Sequence, residues 1–415
     1  MNFTSDFFVQ NRRNFFKEMK KNSVLVLLSN DQYPKNGDQT FPFRQQSDLF
    51  YFTGIKQEET TLLMFKDETG KDFEFLFILK PNLKLETWEG KKLTQKESSD
   101  ISGIKTIFWK ERFDKKFKDV LTANTIFYLL GADAFMQTTS LSLRHLVFEK
   151  SIKKKYSNHK IKSARRIIDK LRLIKSEEEV AMMQKAVDIT NLAFKRVLET
   201  VKPYQKEYEV EAEISYVFRK NGASGHAYEL IVATGINACS LHYVQNESVL
   251  KENELILMDF GADYNYYAAD LSRTIPVNGQ FTERQKILYQ LVLDIQKKAI
   301  QLFVPGNTIK KINQKVDKWM SESLIRIGLL TKKEDLRKYY PHGVTHFLGI
   351  DVHDVGAKDV LFREGMVLTC EPGLYIQEEG VGIRIENDIV VGNPPLDLMA
   401  NTIREINEIE KAMKS

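Results

Sequence analysis

Between His342 and Glu386 the chain reads PHGVTHFLGIDVHD, then, after a short gap, LTCEPGLYIQEEGVGIRIENDIVV. Three of the seven histidines, His342, His346 and His353, fall in the first twelve residues of this stretch. Two acids follow, Glu371 after MVLTC and Glu386 in GIRIEND, each inside an apolar run. An unpaired carboxylate in an apolar strand is very costly to bury, so such acids call for a cation. Upstream, ELILMDFGADYNYYAADLSRT places Asp259 and Asp270 in two further apolar or aromatic runs. A turn centred on Tyr264-Asn265 would put these two acids directly opposite each other on one face of an antiparallel ribbon. Opposed side chains have Cβ atoms about 4.5–5.5 Å apart, which suits carboxylates gripping two metal ions about 3.5–4 Å apart. Without cations the like charges repel and one acid stays protonated. Asp263 belongs to the turn and is expected to be solvated.

The candidate ligand set is therefore Asp259, Asp270, His346, Glu371 and Glu386. Four carboxylates and one imidazole make a hard, oxygen-rich site for two divalent ions. That chemistry favours manganese, with iron, cobalt or zinc as alternatives, over a thiolate-type zinc site. Cys370 adjoins Glu371, but strand neighbours point to opposite faces, so a buried free thiol is expected there.

The elements that must hold these residues are legible from pattern. Residues 1 to about 22 read as an amphipathic helix, and SVLVLLSN at 23–30 as a buried strand. SDLFYFTGI, TTLLMFKD, FEFLFILK, KTIFWK and NTIFYLLG read as further strands, with helical patterns between and after them. The first domain, residues 1–165, is thus an α/β domain around a mixed sheet. The Lys/Arg-rich stretch from 150 to 175 marks a boundary, and residues 166–415 form the second domain. There, Ser176 with Glu179, and TERQ from Thr282, read as capping boxes that open helices. Met182 and Met183 are expected in the core, and Ile287, Leu288, Leu291, Val292 and Ile295 facing inward. A helix runs from about Glu207 to Lys220, and another from Thr308 to about Gly328. GHAYELIVATGINACSLHY reads as strand, turn and strand. The order of helix pairs and strands suggests two related α-plus-β halves. His226 reads as structural or at a pocket edge, and His145 and His159 as surface residues.

Bulk properties exclude several classes. A net charge of +5 from 61 basic and 56 acidic residues does not argue for nucleic acid. Two cysteines make no disulfide framework and fit a reducing compartment. The N-terminus lacks the apolar core of a secretory signal, and no apolar run approaches the ~20 residues of a membrane span. A cytoplasmic location with no membrane partner is expected.

MDFGADYNYYAADLSRT, HFLGIDVHD, TCEPGLY and GIRIEND closely resemble the creatinase/aminopeptidase family of dinuclear metallopeptidases, most of all its proline-specific branch. FPFRQQSDLFYFTGIKQEE and ETWEGKKL resemble that branch's N-terminal domain, so the resemblance covers essentially the whole chain. It implies a "pita-bread" α+β catalytic domain after the α/β domain. It implies a metallo-exopeptidase that releases the N-terminal residue when proline is second, or else a prolidase restricted to Xaa-Pro dipeptides. A non-catalytic binding protein of the same fold is the competitor from another class. The resemblance makes Asp259 a chelator of one metal and Asp270 and Glu386 the bridges. His346 and Glu371 complete the sites, and Glu371 doubles as general base. His242 lies near the substrate, His353 at the scissile carbonyl oxygen and His342 at the proline pocket. Arg384 and Tyr375 support the site. Trp88 and Asp38 match positions that approach a neighbouring subunit's active site in tetrameric relatives, so a homodimer or homotetramer is implied. The QEEG gap between EPGLYI and VGIRIEND is shorter than in some relatives, which alters one edge of the site.

Overall fold

Several helices in this chain begin where a side chain can satisfy the free N–H groups of the first turn. In the computed structural model, which describes residues 2–131 and 143–414, Ser176 and Glu179 close a reciprocal capping box on the helix Glu177–Thr200. Thr282 and Gln285 do the same for Glu283–Ile300, and Thr308 caps Ile309–Arg326. The helix Glu207–Lys220 lies where its apolar spacing predicts, with Val210, Ile214, Val217 and Phe218 buried. The chain divides into two compact units, Met1–Leu171 and Arg172–Ser415.

The first unit is built on a six-stranded mixed sheet. Its order is Ile107–Trp109, Asp72–Ile78, Thr61–Lys66, Ser23–Leu28, Ile126–Leu129, Ile161–Ser163. The strand Thr61–Lys66 is antiparallel to both neighbours, and the outer pairings are parallel. SDLFYFT is not a strand: Ser47–Thr53 is a helix. The Gln46 side chain accepts from the Leu49 N–H at 2.7 Å to start it. Gly54, at φ 67°, ends it, and a Cβ there would meet the Phe8 ring at 2.4 Å. Residues 48 to 53 are all buried, so the run shows no helical periodicity to read. His145 is half-buried. His159 is also half-buried, with Nε2 3.2 Å from the Thr122 carbonyl and its ring against Phe127, so neither is a plain surface residue.

The second unit repeats a helix pair followed by strands, twice. After the first pair come the antiparallel strands Ile231–Thr234, Leu255–Phe260 and Leu271–Pro276. After the second come Val367–Cys370, Asn387–Val390 and Leu396–Asp397, and the hairpin Gly373–Ile376 with Val381–Arg384. Met182 and Met183 are buried core, while Ile287 is not inward: it is 52 % exposed, and Leu288, Val292 and Ile295 carry the buried stripe. SLHY is not a strand either. Strand Ile231–Thr234 runs into a 3-10 turn, Gly235–Cys239, and then a loop. Among the described residues no helix is long and apolar enough to cross a membrane.

Candidate metal centre

The ribbon that carries Asp259 and Asp270 turns one residue later than its spacing suggests. Asn265 and Tyr266, at φ 50° and 71°, form the tip, a left-handed pair whose twist suits a tight hairpin. Asp263 therefore pairs with Ala268, and Asp259 faces Ser272 rather than Asp270. Asp263 is also not solvated: it is buried and accepts the Tyr266 N–H at 3.2 Å. Asp259 and Asp270 meet nonetheless. Residues 270 and 272 share a face by strand alternation, and the Tyr228 hydroxyl spans the two acids, 2.6 Å from Asp259 Oδ1 and 2.5 Å from Asp270 Oδ1.

Three further segments converge on this ribbon. His346 presents Nε2 3.4 Å from Asp270 Oδ2 and 3.7 Å from Glu371 Oε1. Its Nδ1 lies 3.0 Å from the Phe347 carbonyl, so that nitrogen carries the hydrogen and Nε2 is free to take a metal. Glu386 accepts from the Ser272 hydroxyl at 2.7 Å, and that hydroxyl also accepts from Arg384 Nε at 2.7 Å. The ligand atoms of Asp270, His346 and Glu386 all lie within 4.8 Å of one another, a spacing one ion can bridge. Asp259 accepts from Arg384 Nη2 on its other oxygen, Oδ2, at 2.5 Å.

Charge explains why this cluster fits cations. Burial, with Asp259 close by, raises the Asp270 carboxyl, although His346 and Tyr228 oppose the shift. Burial, Asp270, Glu371 and Asp259 push Glu386 well above the usual carboxylate range. Burial together with those acids lifts Glu371 to about 7, against the pull of His346 and Arg384. Burial would depress His346, yet Asp270 and Glu371 raise it to about 9. Protons thus sit where positive charge is wanted, and an oxygen-rich donor set of this kind suits divalent ions. Cys370 is buried and free, with a thiol pushed up by burial.

Three of the remaining expected residues, Arg384, Tyr375 and His342, form a chain beside the carboxylates. Arg384 Nη1 donates to the Tyr375 hydroxyl at 2.8 Å, and that hydroxyl donates to His342 Nε2 at 2.8 Å. His342 Nδ1 donates to the Gly343 carbonyl at 2.7 Å. Burial and the Arg384 charge hold His342 near 4, so it is neutral at pH 7. The His353 ring packs edge-on against His346, centroids 4.4 Å apart, and burial lowers it to about 4. His242 stands apart, exposed in the loop after Gly235–Cys239, yet near enough that a positive charge placed on it would lower His353 further. His226 is tied to Ser215 at 2.8 Å and packs on Phe218. The QEEG segment makes a 3-10 turn closed by the left-handed Gly380.

Tyr228, Ser272, Thr369 and Asp388 also belong to this site, and the sequence reading missed them. Thr369 accepts the His346 N–H at 3.2 Å, and Asp388 accepts the Asp270 N–H at 3.1 Å. Ser272 was findable, two residues after Asp270, once the register is right. Nothing in spacing marks Tyr228.

Residues 181–393 match metallopeptidase family M24, and residues 8–128 match the aminopeptidase P N-terminal domain. The chain belongs to metallopeptidase family M24. Within the family it is 35% identical to the Xaa-Pro aminopeptidase of Haemophilus influenzae, covering 98% of this chain and 96% of that one. It is 32% identical to human Xaa-Pro aminopeptidase 3, covering 94% and 80%. Zinc-substituted E. coli aminopeptidase P in complex with product superposes with a TM-score of 0.91 at 31% identity, covering 100% of this chain and 99% of that one. The fold is accordingly an aminopeptidase P N-terminal domain followed by the pita-bread catalytic domain, and the M24 centre is one that binds divalent metal.

Proposed function

We propose that this chain is a metal-dependent Xaa-Pro aminopeptidase, releasing the N-terminal residue of peptides with proline second. The observation that carries the reading is the gathering of Asp270, Glu371 and Glu386 around His346, with Asp259 joined to Asp270 through Tyr228, and with too little positive charge among them to hold every carboxylate ionised. Asp259, Asp270, His346, Glu371 and Glu386 would hold two divalent ions, manganese by preference. When bound, such ions polarise a carbonyl and make water nucleophilic near neutral pH.

The chain's own groups do the rest. Glu371, whose Oε1 lies 3.7 Å from His346 Nε2 at the candidate metal centre, is placed to take a proton from water and return it to the departing proline nitrogen. That nitrogen leaves as a secondary amine, and it carries no N–H in the substrate. Neutral His353 offers an N–H to the carbonyl oxygen as it gains charge, a contribution of roughly 2.7–4 kcal/mol in other enzymes. His342, fixed by Tyr375 and Gly343, lines the pocket for the proline ring. His242 contacts the substrate from its loop, and Arg384 holds Asp259, Ser272 and Tyr375 in register. We further propose a cytoplasmic homodimer or homotetramer, with residues 1–165 as the N-terminal domain and 166–415 as the catalytic domain. Trp88, 87 % exposed on the helix Leu83–Glu89, and the exposed Asp38 are candidates for contact with a neighbouring subunit's site.

The test is hydrolysis of Ala-Pro and Ala-Pro-Ala-Ala by manganese-reconstituted protein. Cleavage of the longer peptide at its Ala-Pro bond is expected. Cleavage of the dipeptide alone would make the protein a prolidase. Cleavage of neither, with metal bound, would leave a binding protein.

A further inference from the structure

Glu207 opens the helix Glu207–Lys220, and its side chain is fully buried. Its carboxylate accepts four hydrogen bonds. Oε1 takes the Thr234 N–H at 2.8 Å and Asn237 Nδ2 at 3.2 Å. Oε2 takes the Tyr243 hydroxyl at 2.8 Å and the Ser248 N–H at 2.9 Å. A carboxylate has about four acceptor positions, so its capacity is filled. The donors come from the end of the strand Ile231–Thr234, from the turn Gly235–Cys239 and from the far side of the following loop. Asn237 also donates to Ser248 Oγ at 2.8 Å, which ties the two sides to each other.

His242 lies inside the segment these bonds close, one residue before Tyr243. Its neighbours Cys239, Leu241 and Tyr243 pack on a cluster that includes Tyr375. Gly382, on the strand that ends at Arg384, runs so close to this turn that a Cβ there would meet the Ala238 carbonyl oxygen at 2.2 Å. The exposed histidine is therefore carried by a loop held at its base by one buried anion and laid against the hairpin of Tyr375 and Arg384.

We propose that Glu207 is a positioning residue for His242, its carboxylate clamping the 234–248 loop so that the imidazole meets the peptide substrate in one place. Glutamine is a poor substitute. Its single oxygen accepts for one pair of donors, and its NH2 would face the other pair, of which at least one is a backbone N–H that cannot turn away.

The inference rests on the substrate role proposed for His242, and the experiment separates the two. Glu207→Gln, His242→Ala and the double variant are assayed on Ala-Pro-Ala-Ala with full metal content, well below their melting temperatures. Glu207→Gln is expected to lower kcat/KM roughly 10- to 100-fold, as a misplaced substrate contact does. His242→Ala should then cost far less in the Glu207→Gln background than in the wild type. Equal cost in both backgrounds, or a Glu207→Gln rate within about twofold of wild type, would overturn the proposal. If Glu207→Gln does not fold, Tyr243→Phe, which keeps the other three bonds, replaces it in the same cycle. If His242→Ala alone changes nothing while the wild type cleaves the peptide, the role of His242 fails. Amide exchange across 238–248 then decides the clamp: faster exchange in Glu207→Gln supports it, and unchanged exchange overturns it.

Discussion

Arg12 in the N-terminal unit and Asp270 in the catalytic unit are both buried ionisable side chains, in opposite circumstances. Arg12 donates twice to Glu74, at 2.7 and 3.0 Å, and once to the Phe52 carbonyl at 2.6 Å. Asp48 in the same unit meets Arg165 at 3.1 Å and Gln46 at 3.0 Å. Each charge there has an opposite charge beside it, which is what a structural ion pair requires. Asp270 sits among Asp259 and Glu386: burial, with Asp259 close by, raises its carboxyl, and burial with Asp270 close by raises that of Glu386. A group of like charges that the fold pays to bury marks a place built for something not supplied by the chain. The second unit has structural ion pairs too, such as Lys175 with Asp354 at 2.9 Å, and what sets its acid cluster apart is the shortage of positive charge beside it.

The sharpest way to break this contrast is to remove one charge from each side. Glu371→Gln should lower kcat roughly 10²- to 10⁴-fold, the usual worth of a general base, with the melting temperature held or raised. Steady-state kinetics and thermal melting of one preparation check both halves, and a rate near wild type would end the assignment. Arg12→Met should do the converse. It should lose about 3 kcal/mol of unfolding free energy, the low end for breaking a buried pair because Glu74 is partly exposed and can rehydrate. Its kcat/KM per folded molecule should match wild type, as denaturant titration and active-site counting would show.

A smaller effect is expected from pH. Glu371 rises from 4.5 to about 7 in the folded protein, so its contribution is complete below 4.5 and lost as pH climbs through 7. His346 rises from 6.5 to about 9, so its contribution is complete below 6.5 and lost as pH climbs through 9. His342 and His353, both lowered to about 4, act the other way, but only below 6.5. Metal-free protein should therefore melt at falling temperature from pH 6.5 to 9. Metal-loaded protein should show a flatter profile, because bound cations stabilise the deprotonated ligands. Calorimetry on the two forms measures the difference, and parallel profiles would refute it. The smallest effect belongs to Ile287→Thr, which should shift stability by no more than about 0.5 kcal/mol. Leu288→Ala, next to it, should lose roughly 2–5 kcal/mol.

Local signals were read well where local chemistry decides the outcome. A capping box such as Ser176–Glu179 or Thr282–Gln285 is complete within one turn, so neighbouring residues suffice to specify it. The ordered motifs around Asp259, Asp270, His346, Glu371 and Glu386 were likewise legible as residue types in apolar runs. Ser47–Thr53 was misread because burial on every side erases the period that separates helix from strand. Ile287 was misread because the apolar stripe is wider in sequence than the face the neighbouring helices cover.

By itself, then, the sequence determined the helix starts that carry a capping box, the two-part α/β and α+β plan, and the acids and histidines of the candidate metal centre. Only tertiary structure decided the rest. The ribbon's register depends on two left-handed residues at its tip, and a shift there moves Asp259 from Asp270 to Ser272. The Tyr228 bridge, the Ser272 link between Glu386 and Arg384, and the four bonds to Glu207 join residues far apart in the chain. Such contacts follow from where strands and loops come to rest, and pattern along the chain carries no record of that distance.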